Sequence, residues 1–518
     1  MLNISIFKNF FASKIKTLEL LFYFMSVFFF TTIALFVLRL GPFYTTDTIN
    51  YLEMAQKVAK GLFPNSPFLS PGYPFFVGII SKLFSTSEVN VLRLGVFIFI
   101  LSAFFVFYQI VKLNYSKERR SFFYFFLLSF ILFSHWAILK ILLTAHADAL
   151  FLVALLIYLL FLFLWLDTFK IKWFLLATIV GSLCIWIKYN GLILIPFLII
   201  SSVIFGKKRF RYYILGFPIV TALTSYYTFK AINGAVIGHF KGVFFLEKIQ
   251  IAICNHELFH SNFALSGRVF ISTLFTRSAE IFVPNWLGVG FMIFLVLVTF
   301  IYFVLSKNSK NVVNVFLLFS LFYWISLFTI SQYIAYEEIT SRTMFPSMLS
   351  FFIWLALILK SVKSPFKYLI ISILCLNLIY SFFYVSVLNK SEVKNTFNYV
   401  SNFSNRKSVI ELKKAKKKYN FEDRIYTNET RNLFFALDYS KIKKYPSKNE
   451  FSKGKLRNIG EVEFSKNQKI FCNNFLKSNS AVLLFDYSNL KELDSCLITK
   501  NTKVYLIDKD VLLLHLLN

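Results

Sequence analysis

Apolar stretches of about 17–25 residues, the length a helix needs to cross hydrocarbon, recur along the first three quarters of the chain. They fall near 17–39, 90–112, 121–139, 147–166, 172–187, 190–205, 212–230, 287–305, 312–331, 343–360 and 367–388. This pattern predicts about eleven transmembrane helices. The fifth and sixth runs are separated only by Lys188-Tyr189-Asn190-Gly191, which reads as a tight hairpin. From 389 onward the pattern changes. The tail is polar and lysine-rich, with short β-like runs at Arg424–Thr427, Ala481–Tyr487 and Lys503–Ile507. The expected organisation is an α-helical polytopic membrane module over 1–388 and a small α/β domain over 389–518. No repeat is evident at periods of about 20–50 residues.

Composition supports the bilayer as solvent: 57% of the 518 residues are hydrophobic and 16% charged, more apolar surface than a soluble fold can bury. The net charge of +30 raises nucleic acid as a partner. No recognition motif accompanies it, and the basic residues collect between apolar runs, so membrane topology explains the charge and no nucleic-acid partner is expected. With the N-terminus inside, alternate loops read KERR (117–120), KIK (170–172), KKRFR (207–211), KNSK (307–310) and KSVKSPFK (360–367). All are basic, as cytoplasmic loops should be. The first loop (40–88), the turns at 140–147 and 188–191, the large loop 231–286, the short loop 332–342 and the tail are then extracytoplasmic. Long domains translocate regardless of charge, so a basic tail fits there.

Candidate chemistry is sought on that outer side. Within YTTDTINYLEMAQKVAKG, Leu52, Ala55, Ala59 and Leu62 recur at helical spacing opposite Glu53, Gln56, Lys57 and Lys60. This is an amphipathic helix suited to the interface, with Asp47 where its N-cap would be. In FLSPGYPFFVGIISKLF (68–84), Pro71, Gly72 and Pro74 impose a rigid turn before a second short helix. Ser85 and Glu88 have capping-box spacing ahead of the next span. In LTAHADALF (143–151), His146 and Asp148 flank a helix start, and Asp148 is itself a candidate cap. Lys140, Lys188 and Arg342 are cations on the side that short loops leave poor in charge. Snorkelling at a helix end accounts for each singly. Together with two isolated carboxylates they suit an anionic headgroup or a phosphate. Cys472 and Cys496 could pair outside the cytoplasm, whereas Cys184 and Cys375 lie in apolar runs. His256 and His260 have the spacing of a metal pair if their segment is helical, but ordinary loop histidines are the simpler reading. No Walker A loop, Rossmann glycine fingerprint or HExxH is present.

The order of these motifs resembles a known family. A first span precedes TTDTINYLEMAQKVAKG and SPGYPFF, and then follow TAHADALFLVALLIYLLFLF, WIKYNGLILIP and SRTMFPSML. This is similar to the GT-C glycosyltransferases of the protein O-mannosyltransferase and aminoarabinose-transferase type. The resemblance implies a polyprenyl-phosphate-linked sugar donor and an active site facing the periplasm or lumen. It implies Asp47 as catalytic base, and Asp148 as an acid at the outer start of a later span. Lys188 is matched as a cation before a glycine-containing turn, and Arg342 as the arginine holding the lipid phosphate. Tyr51 and Tyr73, in the two first-loop segments, and His146 and Lys140 join the candidate binding residues. The chain departs from the pattern at Thr343, where relatives carry an aromatic, and at His146, where they often carry serine or threonine. Asp47 lacks an adjacent second acid, which puts a protein acceptor in doubt.

The expectation is therefore glycosyl transfer with inversion to a glycan, lipid or protein acceptor. Asp47 takes the acceptor proton, Arg342 and Lys188, with Lys140, meet the phosphate, and Asp148 orients the acceptor or helps hold a divalent cation. Bacterial cytoplasmic membrane is the expected location. The alternatives are a transporter or flippase, which repeats and midplane polar residues would mark, a polysaccharide polymerase or ligase, and a non-catalytic member.

Overall fold

The structure is a computed structural model. It describes residues 46–64, 69–115, 141–142, 144–205, 216–233, 256–274, 283–305, 312–333 and 339–358, and in the tail 424–427, 442–445, 449–452, 455–458, 461–476, 480–485, 502–508 and 511–516, with isolated positions besides. The expected spans at 17–39, 121–139 and 367–388, and Lys140, lie outside the described residues. The chain divides into two compact units, 1–387 and 388–518.

In the first unit the helices are α1 (Thr46–Ala59), α2 (Gly72–Leu83), α3 (Glu88–Tyr115), α4 (Ala147–Thr168), α5 (Ile171–Ile187), α6 (Leu194–Phe205), α7 (Gly216–Asn233), α8 (His256–Leu274), α9 (Asn285–Leu305), α10 (Asn314–Tyr333) and α11 (Ser341–Ile358). Among the described residues, two segments, Asn90–Ile110 of α3 and the whole of α4, are each long and apolar enough to cross a bilayer. On α3, Leu94, Ile98, Leu101 and Phe105 form an exposed apolar stripe at helical spacing. The opposite residues Leu92, Val96, Phe99 and Ala103 are buried. An exposed leucine–phenylalanine stripe of that kind suits hydrocarbon. By contrast α4 is enclosed nearly all round, with Phe151, Leu155, Tyr158, Leu162 and Trp165 fully buried. Tyr158 donates to the Leu194 carbonyl at 2.7 Å and Trp165 to Ser202 at 3.2 Å, fixing α6 against it.

The first loop holds the two short helices that its sequence predicts, but they pack on each other. Tyr51, Leu52, Met54, Ala55 and Val58 of α1 are buried, so the apolar face meets protein, while Leu62 beyond the helix is exposed. Gly78 of α2 makes this possible: a Cβ there would lie 2.4 Å from the Ala55 carbonyl oxygen and 2.7 Å from Val58 Cβ. Three cap assignments need correction. Helix α1 begins at Thr46, so Asp47 is in its first turn and not at the N-cap. Ahead of α3, Ser87 accepts from Asn90 N–H at 3.3 Å, whereas Glu88 turns back to accept from Ser81 at 3.1 Å, so Ser85 and Glu88 form no capping box. At α4 the N-cap is His146, not Asp148.

The segment expected as the large loop 231–286 contains α8, whose buried Ala264, Val269, Phe270 and Ile271 are interleaved with polar residues. Its mean apolarity is too low for a span, which is why the hydrophobic runs missed it. It crosses α9 at a glycine pair, where a Cβ on Gly267 would lie 1.9 Å from the Gly288 carbonyl oxygen. Backbones approach that closely only where both side chains are absent.

In the second unit, β1 (Arg424–Thr427), β2 (Ile442–Lys444), β5 (Ser480–Phe485), β6 (Thr502–Asp508) and β7 (Val511–Leu516) form one sheet in the order β2-β1-β5-β7-β6. The first three strands are parallel; β7 runs antiparallel to β5 and β6. Strands β3 (Asn449–Ser452) and β4 (Lys455–Asn458) make a separate hairpin. Helix α12 (Glu461–Leu476) buries Phe471 edge-on against Tyr426 at 4.8 Å and Tyr445 at 5.1 Å. Cys472, its neighbour, is disulfide-bonded; Cys496 lies outside the described residues.

Candidate functional site

Asp148, in the first turn of α4, is the centre of the site. Its side chain is 4% exposed. Lys188 Nζ donates to Oδ1 at 2.5 Å and Arg342 Nε to Oδ2 at 2.5 Å. His146 Nδ1 lies 3.1 Å from Oδ2, and Arg342 Nη2 lies 2.9 Å from His146 Nε2. Residues separated by 40 and 194 positions thus meet on one carboxylate. Neither Lys188 nor Asp148 snorkels. The lysine side chain is 8% exposed, so its charge is sustained by the aspartate and not by water. Arg342 differs, with 39% of its side chain exposed.

Each element delivers its residue for a local reason. Lys188 is the C-cap of α5 in extended conformation, and the chain then folds back through a 3-10 turn, Tyr189–Ile193. Gly191 allows the reversal, because a Cβ there would sit 2.4 Å from the Cys184 carbonyl carbon. Asn190 donates to the Tyr323 hydroxyl at 3.1 Å and ties the turn to α10. Gly72 of the SPGYP turn lies against the same segment, where a Cβ would be 2.7 Å from the Trp186 carbonyl. Arg342 stands at the start of α11, which Thr340 and Thr343 close reciprocally. Thr340 N–H donates to Thr343 Oγ1 at 2.9 Å, and Thr343 N–H to Thr340 Oγ1 at 3.4 Å. This has the logic of a capping box with threonine in place of glutamate. It accounts for threonine after the arginine, where an aromatic is expected. Pro346 in the next turn prevents a normal bond to the Arg342 carbonyl.

The first-loop helices join the same site. Thr48 of α1, fully buried, donates to the Ala145 carbonyl at 2.9 Å, one residue before His146. Tyr51 meets the His146 ring edge-on at 5.2 Å and Tyr73 edge-on at 5.2 Å. The structure therefore brings Tyr51, Tyr73, His146, Asp148, Lys188 and Arg342 together. Asp47 is carried on the same turn of α1 as Thr48; its side chain lies outside the described part. Thr48, Thr340, Asn190 and Tyr323 escaped the sequence reading. Thr48, Asn190 and Thr340 are neighbours of Asp47, Gly191 and Arg342, and that adjacency could have pointed to them; nothing in the sequence pointed to Tyr323.

Counting Asp148, Lys188 and Arg342, this cluster carries one positive charge in excess, next to a partly exposed guanidinium. Such a site favours an anion with planar or tetrahedral oxygens. A divalent cation is a poorer match: both oxygens of Asp148 already face cations. Among the described residues no three His, Cys, Asp or Glu side chains converge as metal ligands. His256 and His260 share helix α8, and their side chains lie outside the described part.

The fold of the helical bundle that carries this charged cluster resembles that of the GT-C glycosyltransferases. It superposes on ArnT from Cupriavidus metallidurans bound to undecaprenyl phosphate with a TM-score of 0.59 at 11% identity, covering 95% of this chain and 97% of that one. The apo state of the same ArnT gives 0.56 at 11%, covering 94% and 97%. Residues 66–228 match the family model of the dolichyl-phosphate-mannose-protein mannosyltransferases, so the resemblance drawn from the motifs holds. That stretch contains the SPGYP turn, His146, Asp148 and Lys188; Asp47 and Arg342 lie on either side of it. No curated protein is significantly similar in sequence.

Proposed function

We propose that this protein is a membrane glycosyltransferase that moves a sugar from a polyprenyl-phosphate-linked donor to an extracytoplasmic acceptor, with inversion. The observation that carries the reading is the Lys188–Asp148–Arg342 cluster, an excess of fixed positive charge at the ends of membrane helices. The departing group in this reaction is a lipid phosphate that gains charge as the glycosidic bond breaks. Preorganised cations stabilise that charge more in the transition state than in the bound donor. Two further facts support it: the structural neighbour ArnT is seen with undecaprenyl phosphate, and the matched family is described by a dolichyl-phosphate sugar.

Asp47 is the base. As the acceptor oxygen attacks the anomeric carbon, its proton passes to the Asp47 carboxylate and the C–O bond to phosphate breaks on the opposite face. General-base assistance of this kind typically contributes about 10²–10⁴-fold. The Thr48–Ala145 hydrogen bond supports this role, because it ties the first turn of α1 to the loop bearing His146. Asp148 holds Lys188 and Arg342 in register, and the acceptor is a glycan, a lipid or a protein. The protein sits in a bacterial cytoplasmic membrane with the site outside. The disulfide at Cys472 supports an oxidising compartment for the tail. The test is transfer by purified protein from a panel of polyprenyl-phosphate sugars. A transport protein would move such lipids without breaking the glycosidic bond, and a polymerase or ligase would use pyrophosphate-linked glycans instead.

A further inference from the structure

His146 is held from three sides. Its own helix offers the Asp148 carboxylate, 3.1 Å from Nδ1, and the Asp148 N–H at 3.4 Å. From α1 Tyr51 meets the ring edge-on, with Tyr73 of α2 behind it; Asp47 stands one helical turn before Tyr51. From α11 comes Arg342, whose Nη2 is 2.9 Å from Nε2 and 3.3 Å from Nδ1. The nearer contact is a hydrogen bond that the guanidinium can only donate, so His146 Nε2 accepts it with its lone pair. Lys188, from the end of α5, reaches the cluster through Asp148.

The guanidinium cannot lose its proton. A neutral ring can accept from it at Nε2; an imidazolium has no lone pair to offer and meets like charge at hydrogen-bond distance. The Asp148 carboxylate, 3.1 Å from Nδ1, offsets part of that repulsion, but it faces Lys188 and Arg342 together, and the three charges sum to one positive. We infer that His146 is a positioning residue: the neutral ring seats Arg342 at the site, and protonation of His146 unseats it. This rests on the reading of Arg342 as the group that meets the lipid phosphate. It makes phosphate binding fall away as falling pH protonates the imidazole.

The test uses the full chain in detergent with two readouts. The first is the thermal unfolding midpoint of wild type and His146→Gln between pH 7.5 and 5.5. Glutamine leaves a polar neutral group beside Arg342 and does not titrate. Below the imidazole range the unfolded chain takes up a proton that the seated ring refuses, so wild type loses stability relative to the variant. In an Arg342→Ala background this difference should vanish, which a purely structural histidine would not predict. The second readout is affinity for undecaprenyl phosphate in micelles. One pH unit below the midpoint of its titration, a group that must be neutral weakens binding about tenfold. The phosphate's own protonation affects both proteins alike, so the difference between them isolates His146. Parallel stability profiles for wild type and His146→Gln overturn the inference, whatever the binding result. If neither protein binds undecaprenyl phosphate at any pH, the functional reading fails, and the stability series still decides the role of His146.

Discussion

Replacing Asp148 by asparagine removes one negative charge and little volume, and so tests how the site is held. Two regimes are available. An exposed ion pair contributes about 0–1 kcal/mol, whereas leaving one partner of a buried pair unpaired costs about 3–5 kcal/mol. The geometry selects the second: Lys188 and Asp148 side chains are 8% and 4% exposed and meet at 2.5 Å. Asparagine can still accept one hydrogen bond, but it leaves the lysine charge uncompensated in an apolar surround. The expected loss is therefore about 3–5 kcal/mol, measured by reversible unfolding in mixed micelles. Lys188→Met in the Asp148→Asn background should restore part of it, giving a coupling energy of more than about 2 kcal/mol in a double-mutant cycle. Arg342, at 39% exposed, should couple to Asp148 more weakly than Lys188 does. If Asp148→Asn is as stable as wild type and the cycle with Lys188→Met is additive, the reasoning about a buried carboxylate clamp is wrong.

Gly78→Val should force α1 and α2 apart, because even a Cβ would lie 2.4 Å from the Ala55 carbonyl; the cost is about 1–3 kcal/mol, with transfer activity lost as Asp47 moves. Thr343→Val keeps the shape but removes the Thr343 hydroxyl and its bonds to the Thr340 N–H and carbonyl. It should cost about 0.5–2 kcal/mol and raise KM for the lipid donor, since Arg342 is the next residue. Cys472→Ser should destabilise the tail unit by about 2–5 kcal/mol and abolish the mobility shift on reduction, while an unchanged shift would assign the disulfide elsewhere.

The helices described here that coincide with apolar runs were legible because hydrocarbon tolerates little else: α4, α5, α6, α10 and α11 begin and end within a few residues of their runs. Helix α8 was not, since its polar residues dilute its apolar face below the level that marks a span. The polar residues of the site were legible for a different reason. Asp148, Lys188 and Arg342 each had a bland reading as a cap or a snorkelling end, and only their gathering on one predicted side marked them. Which partner each takes was not legible, because the pairings join positions 40 and 194 residues apart. Caps were misassigned at α1, α3 and α4, because a shift of one or two residues changes which side chain reaches the free N–H groups. His146 shows the limit most clearly. The resemblance marked it as a departure from the family pattern, and only the fold brings Arg342 to its ring nitrogens.

The central claim is transfer from a lipid phosphate with Asp47 as base, and one comparison tests it most directly. Purified wild type and Asp47→Asn are assayed side by side for sugar transfer from the polyprenyl-phosphate donor that wild type accepts. The account predicts a fall in kcat of about 10²–10⁴-fold for Asp47→Asn, with undecaprenyl phosphate binding retained. A variant that transfers sugar at near the wild-type rate contradicts it.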